Sequence, residues 1–71
     1  MSIHAGKRLQ DRRKEMGLTL CDVAERVRAR GNVKVSESHY RRIERAICVP
    51  TVVLAMEITE VLDTDVYSVW G

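Results

Sequence analysis

At 71 residues, 31% of them charged and 4% aromatic, the chain holds enough material for one small domain, about 60% of whose unfolded surface folding can bury, and leaves no room for a second. Its apolar runs are far shorter than the roughly 18 residues that cross a bilayer, which argues against a helical membrane span. The formal net charge of +2 conceals a division: residues 1–49 hold all 12 Lys and Arg against six acids, a surplus of six positive charges, whereas residues 50–71 hold four acids and no base.

In chain order, apolar residues recur at three- and four-residue steps and no segment alternates like a strand, so the reading is all-α. The first helix is expected from about Ile3 to Met16, with Ala5, Leu9 and Met16 inward, and Gly17 supplies a left-handed residue to end it. Thr19 is placed to cap a second helix, because its hydroxyl can accept from the N–H of Asp22, whose charge also suits a helix N-terminus. Val23, Ala24 and Val27 are its inner face, and Gly31 and Asn32 interrupt the pattern. Ser36 caps a third helix, "ESHYRRIER", with Tyr40 and Ile43 inward and Glu37, Ser38, Arg41, Arg42 and Arg45 outward. After Pro50, Thr51 caps a fourth helix with Val52, Ala55, Ile58 and Leu62 inward, and Glu57, Glu60 and Asp63 on a solvated face. Thr64 or Asp65 caps a last short helix that returns Val66, Val69 and Trp70 to the core, with an exposed contact for a second copy through Trp70 and Tyr67 as the alternative.

The charge division is a footprint for an anionic partner, nucleic acid or an anionic membrane surface. Cys21 and Cys48 lie outside any CxxC spacing, and no apolar leader precedes them, so both are expected to be reduced in a soluble, cytoplasmic protein. His4, Cys21, His39 and Cys48 fall on separate elements, so neither metal nor other cofactor is expected. No nucleophile–base–acid set or phosphate-cradling glycine loop is present, which argues against an enzyme.

Taken in order, "GKRLQDRRKEMGLT", "DVAERV", "VSESHYRRIERA" and "PTVVLAMEITEVLDTDVYSVW" resemble the lambda-repressor-like (Cro/CI, XRE) helix-turn-helix family over nearly the whole chain. The resemblance implies a five-helix domain whose third helix enters the DNA major groove. Carried over by position, Glu37, Ser38, His39, Arg41 and Arg42 would face base edges, beside the helix start at Ser36. Arginine can read guanine O6 and N7, and glutamate can accept from cytosine N4. Phosphates would fall to Arg45, to backbone N–H groups around Thr19, and to Arg28, Arg30 and Lys34 of the turn. The resemblance further implies an ion pair between Arg13 and Glu44, binding as a homodimer through the last helices, and no small-molecule ligand.

Two positions depart from the family pattern. Leu20 stands where a phosphate-contacting Gln is common, and "RARGNVK" lengthens the usual turn by about six residues, a length change that costs little free energy. The second helix is therefore expected to gain about one turn through Arg28–Arg30 and end at Gly31. Two functions follow as expectations: a sequence-specific transcription regulator, a repressor of prokaryotic or phage type, or an antitoxin-like or coupling module that keeps the fold and binds protein instead.

Overall fold

The computed structural model describes residues 4–71, and the expected start of the first helix at Ile3 lies outside the described residues. Among the described residues all regular structure is helical: α1 (Ala5–Glu15), α2 (Leu20–Arg30), α3 (Glu37–Glu44), α4 (Val52–Val61) and α5 (Val66–Trp70).

The starts of α2 to α5 are set by short polar side chains that satisfy otherwise orphaned N–H groups. Thr19 and Asp22 form a reciprocal capping box, the Asp22 N–H donating to Thr19 Oγ1 at 3.0 Å and the Thr19 N–H to Asp22 Oδ2 at 2.9 Å. The two bonds hold the Asp22 carboxyl below its ordinary pKa. Ser36 Oγ accepts from the His39 N–H, Thr51 Oγ1 from Leu54, and Asp65 Oδ1 from Ser68, which makes Asp65 rather than Thr64 the cap of α5.

The helix ends turn through left-handed residues. After α1, Gly17 (φ 71°) lets the Leu18 N–H reach the Arg13 carbonyl, so the helix stops at Glu15, one residue before the expected Met16, which still packs on the core. Gly31 (φ 79°) ends α2 after Arg30, as the lengthened-helix expectation required. Behind α3, which closes at Glu44 with Arg45 as its cap, the Ile47 N–H bonds to the Arg42 carbonyl and Ala46 takes φ 60°. A glycine would hold that Ala46 conformation at lower cost.

Leu9, Val23, Val27, Tyr40, Ile58 and Leu62 form the fully buried centre, each such aliphatic or aromatic group contributing about 1.5–3 kcal/mol. α2 packs on α3 and α4, α1 on α3 and α5, and α4 on α5. Leu18 and Val35, in the connections on either side of α2, are also buried, and Trp70 is half-buried against the core. At Gly6 the backbone of α1 meets the end of α3 so closely that a Cβ there would overlap the Glu44 carbonyl oxygen.

Two expectations for α4 are corrected. Val52 is not inward but 74% exposed: it stands six positions before Ile58, and two three-residue steps of a helix carry a side chain about 120° around the axis. Glu57 is not on a solvated face but 8% exposed, covered by the end of α2; Glu60 and Asp63 are exposed.

Candidate nucleic-acid interface

α3 is seated from behind by three groups. Tyr40 and Ile43 fill the core, and Glu44 receives both Nε (2.8 Å) and Nη2 (3.1 Å) of Arg13, the fork geometry that best fits a carboxylate. Arg13 also donates to the Leu18 carbonyl, so one guanidinium ties α1, the α1–α2 connection and the end of α3 together. The Glu44 carboxylate raises the Arg13 pKa, and burial, followed by the nearby Glu44 charge, pushes the Tyr40 phenol far above its ordinary value. Among the described residues the buried Tyr40 hydroxyl meets no partner at full hydrogen-bond geometry, the Glu44 carboxylate being the polar group that acts on it from nearby.

The outer side of the helix faces solvent. Ser38, Arg42 and Arg45 are exposed, Glu37, His39 and Arg41 half-buried, and Ser36 is exposed while its hydroxyl is engaged as the cap. Glu37 and Arg41 pair with each other one turn apart at 2.8 Å, an exposed bridge of small energetic weight that a ligand can open. His39 Nε2 lies 3.5 Å from Cys48 Sγ, a pairing across two elements that residue spacing did not announce.

The lengthened turn is tied down instead of hanging free. Arg28 Nη1 donates to the Val35 carbonyl at 2.6 Å, and Arg30 Nε reaches Glu57 Oε1 at 2.7 Å, where the Asn32 amide also donates at 3.1 Å. These two partners hold the Glu57 carboxyl below its ordinary pKa. Arg28 and Arg30 thus fix the chain path from α2 to α3, whereas Lys34 is exposed and has no partner among the described residues. The two N–H groups of the capping box at Thr19 are likewise spent on each other's side chains, which leaves the amides of Leu20 and Cys21 at the α2 N-terminus.

Among the described residues the side chains of Lys14, Lys34, Arg42 and Arg45 have no hydrogen-bond or ion-pair partner, and that of Arg26 acts only through space, on Asp22. Lys14 and Arg26 were not singled out from the sequence, because a helical pattern does not say which of many exposed cations remain uncommitted. The fold also makes a polar cleft of about 190 Å³ where α1, the start of α2 and α3 meet, lined by Gln10, Arg13, Leu20, Arg41, Glu44 and Arg45. Gln10 is another residue the sequence reading passed over.

A different surface is apolar. Ile47, Val49, Val52, Val53 and Met56 are all more than half exposed, and residues 46–56 contain no charged side chain. A groove of about 130 Å³ runs beside them between Val49, Pro50, Val52, Ala55, Val66 and Trp70. Tyr67, 84% exposed, projects from α5.

The class these features define is a small all-α domain whose third helix is seated on an apolar base and turns Arg42, with Arg45 at its C-terminal cap, to solvent. No family model, curated protein or solved structure matches the chain. No described helix is long and apolar enough to cross a membrane.

Proposed function

We propose that the chain is a lambda-repressor-like helix-turn-helix domain that binds duplex DNA in a sequence-specific way and regulates transcription, with α3 as the element that enters the major groove. The observation that carries the reading is the seat of α3. Tyr40, Ile43 and the Arg13–Glu44 fork fix one side, while Ser38, Arg42 and Arg45 are left in water on the other. Arg42, with Arg41 once released from Glu37, supplies the guanine-reading chemistry, and Arg45 and Lys34 supply phosphate contacts. Gln10 offers, at the cleft, an amide that Leu20 lacks. Arg30 belongs to the scaffold in this reading, because its charge is matched by Glu57.

Two copies acting on half-sites about one helical turn apart would supply the base contacts a single short helix lacks. The exposed apolar face supports a second reading, a module that binds a protein partner through residues 46–56. Selection of bound sites from random duplexes separates the two. A recovered motif with Arg42-dependent affinity supports the first, and failure to bind any duplex near 50 mM salt, where phosphate contacts are strong, refutes it.

A further inference from the structure

We infer that Cys48 and His39 are one half of a tetrahedral zinc site that a second copy of this chain completes. Three observations carry it, and none depends on the DNA reading.

The first is spacing. With Zn–S near 2.3 Å and Zn–N near 2.05 Å, a tetrahedral angle puts sulfur and nitrogen about 3.5 Å apart. Cys48 Sγ and His39 Nε2 stand 3.5 Å apart. The helical turn that ends α3 brings them together: the Cys48 and Ile47 N–H groups both fold back onto the Arg42 carbonyl, returning the chain beside His39. Both side chains are half-exposed, so a cation can reach them without unfolding the core.

The second is incompleteness. Among the described residues no three His, Cys, Asp or Glu side chains converge, so this chain alone offers two ligands where a closed zinc site takes four. A two-fold axis beside Cys48 supplies the same two groups again and makes a Cys₂His₂ set.

The third is the surroundings. Cys48 is flanked by Ile47 and Val49, 70% and 61% exposed, at the start of the uncharged stretch 46–56. Bringing two copies together there covers apolar surface and sets no like charges from that stretch against each other. On binding, each Cys48 thiol gives its proton to solvent and its thiolate bonds to the metal, and each neutral His39 donates its Nε2 lone pair, so two protons leave per zinc and nothing is oxidised.

The test uses cobalt(II) as a spectroscopic stand-in for zinc, titrated into the reduced, untagged chain without DNA. The expected result is a thiolate-to-cobalt absorption band that saturates at one metal per two chains, together with a doubling of the sedimentation mass that zinc reproduces. Cys48→Ser and His39→Ala abolish both effects, and Cys21→Ser leaves them unchanged. Absence of the band, saturation at one metal per chain without a change of mass, or a band that survives Cys48→Ser overturns the inference. The wild-type titration decides the matter even if a variant folds poorly.

Discussion

Arg13→Ala is the sharpest test of how α3 is held. The Arg13 and Glu44 side chains are 12% and 7% exposed, and Glu44 has both its oxygens on Arg13. Removing the guanidinium leaves a carboxylate nearly out of water next to the Tyr40 ring, and breaking such a pair costs on the order of 3 kcal/mol. A domain of this length has about 4–11 kcal/mol of stability in total, so the loss is a large fraction of it. The matching fall in Tm is about 12–24 °C, at about 4–8 °C per kcal/mol for a domain of this size. Glu44→Ala should cost less, because Arg13 keeps the Leu18 carbonyl and can turn toward solvent. Urea unfolding followed by circular dichroism and by the fluorescence of Trp70 gives both values, and the double variant gives the coupling, expected on the order of 2 kcal/mol. An Arg13→Met, Glu44→Leu replacement should recover most of the stability, since apolar groups of similar volume carry no desolvation cost. If Arg13→Ala costs under about 1 kcal/mol and the coupling is under about 0.5 kcal/mol, the pair behaves as an exposed bridge and the fork does not seat α3.

Other outcomes follow from the same geometry. Lys34→Ala with Arg45→Ala should lower the slope of log affinity against log salt by about 2, at about 0.9 per phosphate-side charge, with the helical spectrum unchanged; Arg30→Ala should lower stability and leave the slope alone. Ala46→Gly should stabilise the domain by about 1 kcal/mol in urea unfolding, because Ala46 holds φ 60°. Gly6→Ala should destabilise by about 1–3 kcal/mol, since the added methyl meets the Glu44 backbone carbonyl and no flexible group can yield. Asp22 and Glu57 have folded pKa values below their unfolded ones, so their contribution is present above the ordinary carboxylate range and is lost as pH falls through and below about 4. Glu57→Gln should flatten that acid-side loss in a stability profile from pH 6 to 3, and an unchanged profile would show that Glu57 is not engaged in solution.

The features that local chemistry controls were legible in the chain itself. The caps at Thr19, Ser36 and Thr51, the stop at Gly31 that lengthens α2, and the inward placement of Tyr40 and Ile43 depend on residues within one or two turns of each other. The partnership of Arg13 with Glu44 spans 31 positions and came from the family resemblance, not from periodicity. Pairings between elements were decided only by tertiary packing. Glu57 reads as a surface acid in its own helix and becomes buried because Arg30 and Asn32, on another helix and its turn, close over it. The same closure turns Arg30 from a free cation into a structural one. Val52 shows the converse, an apolar side chain that no neighbouring helix covers. Helical period fixes the direction of a side chain about its own axis, but what waits there, water, a charge or a thiol such as Cys48 beside His39, is set by how the axes are placed in three dimensions.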